Sequence, residues 1–197
     1  MRQLKSILLA ASLLTAGAAS AQQYHLNVLY EATGPVSQIV TNTENPYFSA
    51  AAPIPGLELG KVTFQENGKL KMEMMTYDAD GYPIGFGTNM GKTYTTFRVT
   101  YDDARHPVQL FFDGNTQKDG VSRPFTIQTA YEGDRVAMRR FFASPDGEQL
   151  LCVYSDEVTD EHGNWISRRV REVTVSGDDA DVKSEKEYTE TREISYF

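Results

Sequence analysis

The sequence predicts an all-β chain, an antiparallel meander of repeated β-hairpins forming an open, strongly twisted or curled sheet. Apolar and aromatic residues recur with period two, and the runs are separated by turn signals rich in glycine with Asp or Asn. No window after the first 21 residues places apolar side chains at i, i+3, i+4 and i+7 over three turns, so little helix is expected.

The strand runs can be read directly. Leu70, Met72 and Met74 alternate with Lys69, Lys71 and Glu73; Phe97, Val99 and Tyr101 alternate with Thr96, Arg98 and Thr100; Phe125, Ile127, Thr129 and Tyr131 alternate with Thr126 and Gln128. One polar face per run indicates antiparallel strands wetted on one side. Met72, Met74, Phe97, Val99, Ile127 and Val136 form the expected inward set, within roughly nine or ten strands. Turn signals stand at Glu66–Lys69, Asp78–Gly81, Glu132–Asp134, Ser144–Gly147 and Asp160–Asn164. There glycine supplies positive φ, and Asp or Asn hydrogen-bonds its own backbone to close the turn. Residues 42–60, with Pro46, Pro53 and Pro55, read as a long irregular crossing, and 176–184 as a polar loop before the last strand.

The first residues have a different logic. Arg2 and Lys5 precede the apolar run Ile7–Leu14, and the segment ends Ala19-Ser20-Ala21. This is the order of a cleavable secretory signal, and its apolar stretch is too short to span a hydrocarbon core of about 30 Å. Cleavage after Ala21 and residence in the periplasm or outside the cell are expected. Lipid anchoring at the cleavage point needs a cysteine there, and the single cysteine is Cys152. The expected organisation is a signal peptide at 1–21, N-terminal strands with the irregular crossing at 22–60, and a hairpin-repeat region at 61–197. Residues 22–197 are taken as one continuous domain. The terminal strands, Leu26 to Tyr30 and Glu187 to Phe197, are expected at the sheet edges. The last carries charge on both faces, which argues against a membrane barrel.

Charge narrows the partners. Without Arg2 and Lys5 the chain keeps 17 basic residues against 27 acidic ones, a formal charge of −10. An acidic chain with no large basic cluster does not suit nucleic acid or anionic membranes, and no membrane insertion is expected after signal cleavage. Cys152 sits in the apolar run Leu150–Tyr154 and reads as a small buried hydrophobe.

Aligning the turns shows a degenerate unit. Tyr77-Asp78-Ala79-Asp80-Gly81-Tyr82-Pro83-Ile84 matches Tyr101-Asp102-Asp103-Ala104-Arg105-His106-Pro107-Val108 in its Tyr-Asp opening and its Pro-apolar ending, and Tyr30–Val36 is a looser copy. With the segment Asp160–Arg169 and the ending Thr191–Phe197, these hairpins resemble those of exported bacterial proteins in the YD-repeat (RHS-like) and MORN-like groups, over roughly residues 61–197. The resemblance implies stacked hairpins with encapsulation, scaffolding or partner binding as the role. It transfers no catalytic residue.

Candidates for chemistry are few. His25, His106 and His162 are dispersed, and Asp78-x-Asp80-Gly81 reads as a hairpin turn rather than a calcium loop. Asp156, Glu157, Asp160 and Glu161, with Asp178, Asp179 and Asp181, could supply oxygens to Ca²⁺, against the plainer reading of a solvated acidic face. No catalytic, cofactor or metal residue is assigned. Tyr82, Phe86, Tyr94, Phe111, Phe141 and Trp165 lie out of phase with the inward set or in turns, and they form the expected partner-binding aromatic platform; a second buried face or a homodimer would also account for them. The function expected first is a non-enzymatic interaction or scaffold module of the cell envelope with a protein or glycan partner. A small-ligand or glycan carrier comes second, and a polymer-degrading hydrolase or lyase third.

Overall fold

A computed structural model describes residues 23–45, 61–69, 75–90, 93–115, 124–176 and 181–197. One 3₁₀ turn, Leu26–Tyr30, is followed by eleven strands: β1 Val36–Asn42, β2 Lys61–Thr63, β3 Met75–Tyr77, β4 Pro83–Met90, β5 Thr93–Tyr101, β6 Pro107–Asn115, β7 Phe125–Glu132, β8 Arg135–Phe142, β9 Glu148–Thr159, β10 Trp165–Ser176 and β11 Asp181–Tyr196. All belong to one antiparallel sheet in the order β2-β1-β11-β10-β9-β8-β7-β6-β5-β4-β3. From β3 to β11 each strand pairs with the next in sequence. The two nearest the N-terminus are added beyond the last.

This order corrects the expected edges. Leu26–Tyr30 is a 3₁₀ turn and not a strand. β11 is interior in the strand order, paired with β10 up to Thr191 and with β1 over Thr191–Tyr196. The edges are instead β2 and β3, of which three residues each are described. The strand count exceeds the expected nine or ten because β1 and β2 pair outside the meander. Met72 and Met74 lie outside the described residues.

Period-two alternation puts one face of the sheet inside. Phe97, Phe112, Ile127, Val136, Phe141, Leu150, Cys152, Tyr154, Val170 and Tyr188 are buried in one cluster with Ile39, Val62 and Phe64, and Val99 packs against it half-buried. Register turns the pattern into rows. Phe97 lies opposite Phe112, Phe112 opposite Phe125, and Ile127 between Leu110 and Phe141. The rings step across β5 to β8 with centroids 4.8 Å apart for Phe97–Phe112 and 6.4 Å for Phe125–Phe141. Such aromatic pairs add to the transfer of the rings from water.

The turns at one end of the sheet share a mechanism. Asp78, Asp102 and Asp160 each bond the backbone four residues on, and one side-chain oxygen of each accepts that residue's N–H, from Tyr82, His106 and Asn164 at 2.8 to 2.9 Å. Gly81 and Gly163 occupy the left-handed position these turns need; in the middle turn Arg105 takes it, at φ 67°. A non-glycine residue there is strained. Arg105 is held by ion pairs to Asp78 (3.1 Å) and Asp80 (2.6 Å) of the neighbouring turn.

The sheet is strongly curled. Tyr24 N–H donates to Asn67 O, in the turn after β2, and His25 N–H to Gly81 O, in the turn between β3 and β4. The two edges of the sheet are therefore bridged by one short backbone segment. It passes so close that a Cβ on Gly68 would lie 2.0 Å from Tyr24 O, and one on Gly81 2.1 Å from Gln23 O.

Candidate functional site

Continuing from that segment, the chain turns through Leu26–Tyr30 and delivers Glu31 to the inner face of the sheet. Glu31 holds a left-handed conformation (φ 53°, ψ 48°). It aligns in sequence with Asp78 and Asp102, but it ends a 3₁₀ turn and its carboxylate reaches across to the sheet. One oxygen lies 2.6 Å from Arg139 Nη2 on β8; the other accepts from Arg168 Nη1 on β10 at 2.6 Å. Arg168 Nη2 adds a longer contact of 3.3 Å. Arg168 in turn donates from Nε to Glu190 of β11 at 2.7 Å, its direct cross-strand neighbour.

The cluster is stacked as well as ion-paired. The Arg168 guanidinium lies 3.8 Å from the ring centroids of both Tyr154 and Trp165, and Arg192 lies 4.0 Å from Trp165 on its own account. Planar guanidinium groups suit such faces. Arg192 is otherwise held by carbonyls, donating to Trp165 O, Tyr30 O at 2.6 Å and Glu31 O at 2.7 Å. The Trp165 indole N–H is buried without an acceptor among the described residues.

Proton affinities follow from the packing. Burial would raise Glu31, but the guanidinium groups of Arg139 and Arg168 outweigh it and hold the carboxyl at about 2. Arg168, despite burial, is pushed up by Glu31, Tyr154 and Glu190. Arg192 is pulled down by burial to about 10, and no carboxylate is paired with it among the described residues. Glu157 is raised by its own burial. At neutral pH Glu31 is ionised and the arginines are cationic, so this cluster grips a carboxylate and exchanges no protons.

The expected aromatic platform is not gathered on one surface. Phe141 is fully buried in the core and Trp165 is 5% exposed within the arginine cluster. Both stand on the inner side, which corrects their assignment to an exposed face. For Trp165 the reason is a register shift: β10 slips against β9 between Trp165 and Ser167 and again between Ser167 and Arg169, near Asp156 at φ 51°. Such bulges move side chains to the other face. Tyr82 lies in the β3–β4 turn, stacked on His25 at 4.5 Å and under Arg105 at 5.0 Å. Phe111 is on the face of β6 opposite to Leu110 and Phe112, with Arg98 over its ring at 5.1 Å. Phe86 and Tyr94 belong to β4 and β5, paired in register with Phe97 and Asn89; their side chains are outside the described ones.

The other singled-out groups are used in the fold. The His106 ring sits 3.1 Å from Asp102 and 3.2 Å from Asp134, stacked on Tyr131 at 4.4 Å. His162 packs on Tyr196 at 4.0 Å. Asp160 closes its turn and accepts from the Tyr196 hydroxyl, while Asp156 pairs with Arg169 at 3.2 Å. Asp178 and Asp179 lie outside the described residues. Among the described residues no group of three His, Cys, Asp or Glu is placed to hold a metal ion. Cys152 is buried, and burial followed by the nearby Glu172 and Glu190 pushes its thiol up to about 12; Asn45 donates to its sulfur at 3.4 Å.

None of Glu31, Arg139, Arg168 and Arg192 was expected from the sequence to form a site. The available signal was charge at inward positions: Arg139 shares the phase of Phe141, and Arg192 that of Ile194. No protein-family model matches this chain, and no curated protein is similar to it.

Proposed function

We propose that the protein is an exported, non-enzymatic module of the cell envelope that binds a protein partner through the outward face of its sheet. The observation that carries this reading is the commitment of the inner face. It is taken up by the hydrophobic cluster and by the arginines that hold Glu31; among the described residues the outward face is buried along Thr126, Phe142, Gln149 and Val175 and keeps exposed side chains elsewhere. On it Val153 is 41% exposed, between Met138 and Arg171 in register, with Arg98 and Phe111 further along the sheet. Arginine, aromatic and apolar side chains together suit a protein interface. The hairpin units support the same reading through their likeness to YD-repeat and MORN-like proteins, whose roles are scaffolding and partner binding. The segment ending Ala19-Ser20-Ala21 supports export, and mass spectrometry of the protein from its native host is expected to find Gln22 as the first residue. A triple variant, Arg98→Ala, Phe111→Ala and Val153→Asp, should keep the thermal stability of the parent and lose its envelope partner in cross-linking. Unchanged capture, together with turnover of a glycan or peptide library by the purified protein, would replace binding by the enzyme reading.

A further inference from the structure

We propose that Arg139 and Arg168 form a carboxylate-binding site that the chain fills with its own Glu31, so that the N-terminal segment acts as a tethered ligand. The cradle is organised by the sheet without help from Glu31. Arg168 is fixed by Tyr154 and Trp165, 3.8 Å from each ring, and by Glu190 at 2.7 Å. Arg139 stands on β8, in register with Thr129 and Cys152. The occupant comes from outside the sheet, at the end of a 3₁₀ turn and in a left-handed conformation that a glutamate adopts only under constraint. Its backbone is anchored separately, through the Tyr30 and Glu31 carbonyls on Arg192. Removing the side chain therefore leaves the segment in place and a carboxylate-sized space beside two dehydrated guanidinium groups.

The chemistry selects the ligand class. Two guanidinium groups converging on both oxygens of one carboxylate make a planar, bidentate donor site, which a spherical anion fits poorly. Without Glu31, Arg139 and Arg168 lose the carboxylate that both reach, while Glu190 stays paired with Arg168. The vacated space beside two buried guanidinium groups favours an anion. This assignment stands whether or not the outward face binds a partner.

The test uses the full chain carrying Glu31→Ala, with acetate as the probe against chloride at equal ionic strength. Loss of a buried partner should lower the melting temperature by roughly 10 °C. Acetate at tens of millimolar should restore about half of that loss, saturably. The parent protein, whose site is filled, and Glu31→Gln, whose amide fills the space, should respond to acetate no more than to chloride. If Glu31→Ala is unfolded in chloride, acetate should fold it along the same saturation curve. A Glu31→Ala protein that responds equally to acetate and chloride, folded or not, overturns the assignment.

Discussion

Lowering the pH should dismantle the Glu31 contacts before the hydrophobic core. The carboxyl falls from an ordinary value of 4.5 to about 2 in the folded protein. At about 1.4 kcal/mol for each tenfold change in proton affinity, this ties about 3 kcal/mol of stability to its ionisation. A depressed folded value fixes the direction: the contribution is complete above about pH 4.5 and is lost as pH falls toward 2. Urea unfolding followed by the fluorescence of Trp165, the single tryptophan and a neighbour of both Arg168 and Arg192, reports on the cluster directly. Between pH 5 and pH 2.5 the parent should lose roughly 2 to 3 kcal/mol more than Glu31→Gln, which has no proton to gain. Other carboxylates titrate in both proteins and cancel in the difference. Parallel pH profiles would show that the arginines do not hold Glu31 ionised, and the electrostatic account of the cluster would fall.

Three further outcomes are expected. In chemical denaturation, Phe97→Ala and Phe141→Ala should each cost about 3 to 5 kcal/mol, whereas Val153→Ala should stay within about 0.5 kcal/mol; a larger loss at Val153 than at either phenylalanine would mean that the inner and outer faces are exchanged. Gly163→Ala, in open space at φ 79°, should cost about 1 kcal/mol, and Gly81→Ala, where a Cβ would lie 2.1 Å from Gln23 O, clearly more; equal shifts in thermal melts would remove the N-terminal segment from between the edges. Cys152, its thiol pushed up to about 12 by burial and then by Glu172 and Glu190, should resist a maleimide at pH 8 in the native protein and react once urea unfolds it.

What the sequence made legible was local. The pairing of apolar residues at period two identified Phe97, Ile127 and Val136 as inward, and the Asp-led turns close as their composition requires, with Asp78 and Asp160 accepting the N–H groups of Tyr82 and Asn164. These features depend on residues a few positions apart. The position of β11 does not, since its pairing with β1 joins Ile194 to Ile39 across most of the chain. Nor does the inward placing of Trp165, which depends on slips of β10 against β9 that composition does not encode. The arginine cluster was the least legible. Arg139, Arg168 and Arg192 look like surface charge until register and curl bring Glu31 against them, and a residue of either sign is tolerated inside only when such a partner arrives. Arg139, Arg168 and Arg192 leave the surface together with Glu172, Glu190 and most of Glu31, so the acidic balance outside is unchanged.

The same separation in sequence predicts when the cluster forms. Glu31 and Arg168 are 137 residues apart, and the hairpins from β3 to β11 each close between neighbours. Loop closure for a distant contact must be offset before that contact stabilises anything, so the hairpins should assemble first and the N-terminal segment should dock on the finished sheet. Replacing Glu31 with Gln then removes an interaction made after the rate-limiting step. Folding should keep its rate, and nearly all of the lost stability should appear in unfolding, accelerated by about 100-fold for a loss of about 3 kcal/mol. Stopped-flow denaturant jumps monitored by Trp165 measure both limbs. Slower refolding with unchanged unfolding would place Glu31 in the folding nucleus, and the N-terminal segment would then be a template for the sheet in place of its closing element.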